Sequence, residues 1–506
     1  MSTKDFLLRS RASAESAPAH MTDAQRPLRV CVIQPPESGG VKTLLPHYEN
    51  GMEELGYKPP LGVLYVATMV KTHSPHTVLV IDAIAERLDF AAVVEQVAAF
   101  APDVVGISAW TDFWFPAHKT GRLIKERLPH AHLTYGGPHV SIFPGETLDH
   151  PFVDSVVVGD GEVPFLYLCN MVANDRLDND FPGLHIKVAG GLKTGDDLFH
   201  IHADLDSLPI PDRTLLPHKH YKSVLSSEAF VTTMITSRGC PHRCTFCKLN
   251  FQKTLSRSAA SVVAEFRQIH QMGIKEVEIY DDTFTWSKTR LREICHGLID
   301  SGLHREVTWS VRDRVSSVED ELLALMHRAG CRRIHYGIES GVQRVIELMK
   351  KRITVEQART AVDLAKRNGL TVLSYFMFGN HGESREDMEE TIAFALSINA
   401  DYAEFSITIP YAGTEMYLEA LGSGLIRRDY WRDHAIDPVE SLQQEVIETH
   451  VSLDTLRQLQ QKAVRSFYFR PKYLVREVMK LKSPTEFVRK ARIGMHLFKQ
   501  SLLKLK

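Results

Sequence analysis

The chain has 506 residues, enough for about three or four domains of ordinary size. With 44% hydrophobic residues, 24% charged residues and a net charge of -2, its composition is that of a globular protein with no global pull toward nucleic acid. No apolar run of about 18 residues marks a membrane span, and seven cysteines are too few for a disulfide scaffold, so a reducing, cytoplasmic setting is expected.

In chain order, residues 1–26 are polar and aperiodic, without the apolar core of a secretory signal, and read as a flexible lead-in. Residues 27–170 alternate short apolar runs (Val30–Ile33, Val78–Ile81, Val104–Ile107, Leu133–Tyr135, Ser155–Val158) with helical stretches such as Leu61–Lys71, Phe90–Phe100 and Ala117–Leu128. That alternation predicts a parallel, doubly wound, Rossmann-like α/β sheet with its ligand site at the strands' carboxyl ends. Residues 171–228 read as a proline-rich linker with a hairpin near Leu184–Thr194.

A second βα series fills residues 229–420. Its strands are expected at Val231–Thr236, Glu276–Tyr280, Thr308–Val311, Arg333–Gly337, Thr371–Phe378 and Ala403–Ile407. Six βα units imply an open (β/α)6 partial TIM barrel whose site lies at the strands' C-terminal ends. Residues 421–506 read as a C-terminal helical extension, and Arg465–Lys506 holds 12 Lys/Arg against Glu477 and Glu486. That basic tail suits either a helical cap on the barrel or an interfacial helix on anionic lipid, the latter matching a hydrophobic substrate.

The most specific chemistry is Arg238-Gly-Cys-Pro-His-Arg-Cys-Thr-Phe-Cys-Lys-Leu-Asn250, in which Cys240, Cys244 and Cys247 follow the first barrel strand. A closed zinc site normally takes four ligands, whereas three thiolates at C-x3-C-x2-C suit an iron-sulfur cluster with one open iron. The other four cysteines, Cys31, Cys169, Cys295 and Cys331, sit in apolar surroundings and are expected in the core.

This segment resembles the signature of radical S-adenosylmethionine (SAM) enzymes. The resemblance implies a 4Fe-4S cluster on the three cysteines, SAM bound at the open iron, and one-electron cleavage to a 5'-deoxyadenosyl radical. Phe246 matches the aromatic beside the adenine, and Asp281-Asp282 the segment near the SAM amino group, although two adjacent aspartates also suit a helix cap. Arg312 is expected to meet the SAM carboxylate, a substrate anion or an ordinary acidic partner. Glu339-Ser340 in Gly337-Ile-Glu-Ser340 resembles the motif that binds the SAM ribose. Phe376–Glu383 and Pro410–Thr414 resemble the fifth- and sixth-strand segments, with Asn380-His381 departing from the usual apolar residue and proline.

In the amino-terminal region, Ser108 after the third strand and Gly136-Gly137 after the fourth resemble the serine and double-glycine parts of a cobalamin (B12)-binding domain. Plain βα turns are the alternative. The usual D-x-H-x-x-G is absent: the stretch ending at Gly62 places Pro59 where the cobalt-ligating histidine belongs, and proline offers no donor nitrogen. His139 is expected to contact the corrinoid tail or pack in its loop, and Gly159-Asp-Gly161-Glu162 resembles the family's closing loop.

The resemblance over residues 28–420 is thus to cobalamin-dependent radical SAM enzymes, a group that includes methyltransferases, the anaerobic Mg-protoporphyrin cyclase and hopanoid-modifying enzymes. It implies methylation of an unactivated carbon of a small molecule, with a reductant such as flavodoxin or ferredoxin. Oxidative cyclisation or ring rearrangement, and a cobalamin-binding regulator with an inert barrel, remain the alternatives.

Overall fold

The computed structural model describes residues 24–37, 57–177, 181–188, 191–194, 204–226, 228–248, 254–447 and 451–479. The lead-in up to residue 23 and residues 480–506 of the basic tail lie outside the described residues.

The first sheet begins with β1 (Arg29–Gln34), α1 (Leu61–His73), β2 (Thr77–Asp82), α2 (Phe90–Phe100) and β3 (Val104–Ser108). It continues through α3 (Trp114–Arg127), β4 (His132–Gly136), α4 (Pro144–Asp149), β5 (Ser155–Val157) and α5 (Glu162–Ala173). Strand order is β2-β1-β3-β4-β5 with parallel pairing, and the hairpin β6 (Leu184–Val188) and β7 (Gly191–Thr194) extends it antiparallel beyond β5. Val30, Cys31, Val32 and Ile33 are all buried because helices cover both faces of the sheet. One core layer lies under α1 and α5, the other under α2 and α3. Chain direction switches between β1 and β3, which opens a crevice at their carboxyl ends.

The second sheet is built from β8 (Thr232–Met234), β11 (Glu276–Ile279), β12 (Thr308–Asp313), β13 (Cys331–Glu339), β14 (Thr371–Phe378) and β15 (Tyr402–Ile407). All neighbours pair in parallel in the order β8-β11-β12-β13-β14-β15, leaving the barrel open between β8 and β15. A short ribbon, β9 (Ser237–Arg238) with β10 (Leu255–Ser256), brackets the cysteine segment. The covering helices are α6 (Ala259–Gln271), α7 (Lys288–Asp300), α8 (Asp320–Arg328), α9 (Gln343–Leu348), α10 (Val355–Arg367) and α11 (Arg385–Ser397). Capping boxes at Thr354 and Ser384 start α10 and α11.

After the barrel come α12 (Glu415–Gly422), α13 (Tyr430–Ile436), α14 (Leu453–Tyr468) and α15 (Pro471–Met479). Helix α14 covers β15: Gln460 Nε2 donates to Phe405 O at 2.7 Å and the Tyr468 hydroxyl to Ala403 O at 2.7 Å. The cap reading therefore describes this part of the tail. Leu474, Val475, Val478 and Met479 on α15 are exposed, and no helix among the described residues is long and apolar enough to cross a membrane.

The first sheet is tied to the barrel at several points. Lys58 pairs with Glu278 of β11 at 2.8 Å, and Arg238 of β9 pairs with Asp160 at 2.9 Å and with Glu162. Trp114 Nε1 donates to Ala435 O at 3.2 Å, and Phe143 packs with Ala412, Met416 and Trp431.

Around that last contact sits a histidine cluster. His118 and His150 meet at 3.3 Å, and the His139 ring stacks on Trp114 with centroids 4.2 Å apart. Burial depresses His118 to about 3 and His434 of α13 to about 4; the positive neighbours His150, Arg122 and His434 also act on His118, while Asp437 opposes the shift at His434. Both folded values lie below that of a free imidazole, about 6.5. Their contribution to stability is therefore whole above that pH and is lost as pH falls toward 4 and then 3. Amide protection along Tyr430–Ile436, corrected for the intrinsic pH dependence of exchange, is expected to fall between pH 7 and pH 5 more than along β13; an equal fall contradicts this.

Candidate active site

The cysteine segment begins at the C-terminal end of β8 and is held by the acids that follow β11. Asp281 is buried and its carboxylate accepts from Thr236 N at 2.6 Å, Thr236 Oγ1 at 2.5 Å and Ser237 Oγ at 2.7 Å. Asp282 accepts from Gly239 N at 2.9 Å, and Gly239 takes φ +87°, a conformation that favours glycine. Burial, with Asp281 beside it, raises the Asp282 carboxyl, against the opposing Gly239 N–H. Both aspartates thus organise the loop, and Asp281 has its oxygens engaged by it. Further on, Thr245 N donates to Met349 O at 3.0 Å and Met416 N to Thr245 O at 2.9 Å.

Cys240 is buried with its sulfur 3.4 Å from Thr283 Oγ1, Cys244 is half-buried, and Cys247 reaches the surface. Desolvation by the surrounding loop, then Cys244, Asp282 and Cys240, push the Cys247 thiol up to about 12. A thiol raised in this way is relieved by a cationic group at the site. Among the described residues no three His, Cys, Asp or Glu side chains converge on one metal ion. A donor set of three thiols spread along a loop fits the separate irons of a cluster, not a closed ion site.

Two cations that sequence reasoning passed over complete this end of the barrel. Arg314 Nη1 lies 3.5 Å from Cys244 Sγ, and the same guanidinium donates to Lys351 O. Lys351 Nζ donates to Glu339 Oε1 at 2.5 Å, both side chains being buried, and stands 5.6 Å from the Phe246 ring centroid. Glu339 adopts φ +71° at a register shift in β13, and Lys350 and Arg352 flank Lys351 at φ +51° and +54°. Left-handed non-glycine residues this close together mark backbone strain of the kind found at functional sites. Gly337 is needed here, since a Cβ would fall 2.6 Å from Glu339 Oε1 and 3.0 Å from Lys351 Nζ.

The other expected residues separate into two sets. Ser340 turns away from this site into packing, its hydroxyl 3.0 Å from Thr391 Oγ1. Arg312 faces the barrel interior with its guanidinium 3.7 Å from the Tyr280 ring centroid.

In the first domain, Ser108 and Gly136 pair at the ends of β3 and β4. Gly137 takes φ +106°, and a Cβ there would meet Ala109 O at 2.8 Å. Among the described residues, a Cβ at Gly62 on α1 would meet nothing within 4 Å and one at Gly136 only Val157 O at 3.9 Å. Small residues at the switch crevice fit a large planar ligand. Pro59 lies beside Lys58 near the barrel, its carbonyl 3.5 Å from Thr233 Oγ1. His139 is fully buried, with both ring nitrogens unpartnered, and burial holds it well below its ordinary value. Of the two expectations for His139, packing within its own loop matches this position. Gly159 takes φ +91°, Gly161 abuts Val66, and Glu162 is spent on Arg238. The Gly159–Glu162 loop therefore meets the residue two places before Cys240.

Residues 234–395 match the radical SAM superfamily and residues 55–168 the B12-binding domain, so the two matches fall on the two sites just described. An uncharacterized methyltransferase of Pyrococcus horikoshii is 34% identical over 457 residues, covering 89% of this chain and 95% of that protein. The chain belongs to the cobalamin-dependent radical SAM enzymes. Their cofactors, a 4Fe-4S cluster, SAM and cobalamin, are those of this protein. The cytidylyl-2-hydroxyethylphosphonate methyltransferase of Streptomyces wedmorensis is 29% identical, covering 76% of this chain and 80% of that one. The fold is that of the cobalamin-dependent SAM radical enzyme OxsB, with TM-score 0.70, 16% identity, and coverage of 98% of this chain and 76% of that one.

Asp281→Ala removes the acceptor for three buried donors, a loss of about 1–3 kcal/mol for each group left unpaired. Reconstituted Asp281→Ala is expected to carry less than half the iron of the wild type while keeping its cobalamin. Wild-type iron content in this variant contradicts the loop-holding role.

Proposed function

We propose that this protein is a methyltransferase that acts on an unactivated carbon of a small molecule. Methyltransferase relatives that align along most of their length support the reading. The observation that carries it is the ion-paired junction of Arg238 with Asp160 and Glu162, which sets the glycine-lined edge of the first sheet against the cysteine loop. When bound, the cluster supplies the electron for cleaving SAM, and the corrinoid supplies a methyl carrier.

In this proposal Cys240, Cys244 and Cys247 hold the cluster, and Phe246 lines the SAM adenine. Glu339 accepts from the SAM ribose hydroxyls, with Lys351 fixing its carboxylate. Asp281 and Asp282 act by positioning the loop. Gly62, Ser108, Gly136, Gly137, Gly159 and Gly161 would border the corrinoid, to which Pro59 could offer no donor nitrogen. A low-potential carrier such as flavodoxin or ferredoxin supplies electrons.

Protein reconstituted with iron, sulfide and hydroxocobalamin, then reduced with SAM and substrate, is expected to form methylated product together with 5'-deoxyadenosine and S-adenosylhomocysteine. Mass spectrometry that finds 5'-deoxyadenosine and product without S-adenosylhomocysteine rules out methyl transfer and favours cyclisation or rearrangement.

Lys351→Met leaves the buried Glu339 carboxylate without its cation, a change that costs about 3–5 kcal/mol at a buried pair. The SAM dissociation constant is expected to rise at least about tenfold, the equivalent of about 1.4 kcal/mol, with cluster iron unchanged. Equal SAM affinity in the two proteins refutes the role given to this pair.

A further inference from the structure

The barrel interior holds charged and aromatic residues that neither the cysteine loop nor the Glu339–Lys351 pair employs. Side chains alternate along each strand. Val277, Ile279, Val311, Ile334, Tyr336, Phe376 and Phe405 are buried in the core between sheet and helices. The residues between them therefore face the barrel axis: Glu276, Glu278 and Tyr280, then Ser310 and Arg312, Arg333 and His335, Tyr375, and Glu404.

Toward the amino ends of the strands these groups satisfy one another. Arg333 Nη2 lies 3.1 Å from Glu276 and 3.3 Å from Glu278, Lys58 takes Glu278 at 2.8 Å, and Ser226 donates to Glu276 at 2.5 Å. His335 accepts from Arg333 Nε at 3.0 Å, and its other ring nitrogen is 2.9 Å from the Tyr375 hydroxyl. Two acids are thus balanced by two cations.

Arg312 and Glu404 are left over. Arg312 lies on the Tyr280 ring, 3.7 Å from its centroid, with Tyr375 beside it. Among the described residues no carboxylate makes an ion pair with it; the acid nearest in charge, Glu278, is already held by Lys58 and Arg333. Glu404 is exposed to solvent at the barrel opening, and among the described residues it accepts one hydrogen bond, from Ser406 at 3.4 Å. The surrounding barrel wall raises its carboxyl, while Ser406 and Arg312 oppose that. A half-buried guanidinium lying on an aromatic ring, with no carboxylate paired to it among the described residues, gains from an anion, and its planar fork matches a carboxylate or a phosphoryl group.

Register also separates Arg312 from the SAM end of the barrel. Arg312 pairs with His335, one pleat further from the cysteines than Arg314.

We propose that Arg312, framed by Tyr280 and Tyr375, anchors an anionic group of the substrate, a carboxylate or a phosphoryl group, while Glu404 receives a hydrogen-bond donor of the same molecule. This rests on the reading that the barrel encloses the substrate, and it replaces the hydrophobic substrate suggested by the basic tail with a polar, anionic one.

The test uses the full chain reconstituted with cluster and cobalamin, and saturation-transfer NMR with benzoate, phenyl phosphate and neutral benzyl alcohol as probes. At least one anion is expected to bind. Arg312→Gln should weaken it by about tenfold or more, the loss expected for a charge-assisted hydrogen bond, and Arg312→Lys should restore part of it. Benzyl alcohol should bind both proteins alike, and the stronger of the two anions identifies the group. Iron content and SAM affinity should stay at wild-type values in Arg312→Gln. Tyr375→Phe, which keeps the ring, should weaken the same anion severalfold and serves if Arg312→Gln does not fold. Anion binding that is equal in wild type and variant, or absent from wild type, overturns the proposal, as does a tenfold loss of SAM affinity in Arg312→Gln. A finding of no S-adenosylhomocysteine would refute methyl transfer and leave this binding result intact.

Discussion

Arg238 is the hinge pin of the molecule. It sits two residues before the first cluster cysteine, and Asp160 and Glu162 reach it from the loop that closes the first sheet. All three side chains are largely buried, so the pair is stable only with its geometry intact: removing one partner strands a charge in low dielectric. Tyr65 of α1 adds its ring face 5.3 Å from the same guanidinium. One cation thus couples the cysteine loop to the carboxyl edge of a sheet far from it in sequence, and that coupling is what places two cofactor regions face to face.

Around that pin, rigidity is supplied by acids that bind the loop's own backbone and hydroxyls. Asp281 and Asp282 hold the start of the loop by hydrogen bonds to Thr236, Ser237 and Gly239. Lys351 fixes Glu339, and Arg314 links the Lys351 backbone to the Cys244 sulfur. Three residues in left-handed conformation, Glu339, Lys350 and Arg352, are tolerated because the packed strands and helices around them leave no relaxed alternative. Such preorganisation suits a site where a reactive species must meet one carbon and no other.

Much of this architecture was legible in the residues. Apolar runs three to eight residues long, separated by amphipathic stretches, located the strands of both sheets because a parallel sheet buried on two faces needs them. The cysteine triad was legible because its spacing is local and chemically narrow. Strand β12 was read as ending at Val311, yet it runs on to Asp313, so that Arg314 lay in what looked like a loop. Arg238 was read only as part of the cluster motif, since nothing local predicts that its partners are 76 and 78 residues earlier. Lys351 belonged to an unremarkable basic run, and its pairing with Glu339 needs a register shift in β13 that no pattern announces.

The amino-acid sequence by itself determined the two-domain α/β plan, the three thiols and the proline that stands in place of the D-x-H-x-x-G histidine, because these depend on periodicity, short spacing and residue identity. Tertiary structure alone decided which of the candidate polar residues serve the site. Burial and hydrogen bonding set Ser340 and His139 into packing, turned Asp281 toward its own loop, and drew Lys351 onto Glu339. They also left Arg312 facing the barrel interior with no acid of its own. The reason is physical: a charge finds its partner across the space that folding closes, and that space is not written along the chain.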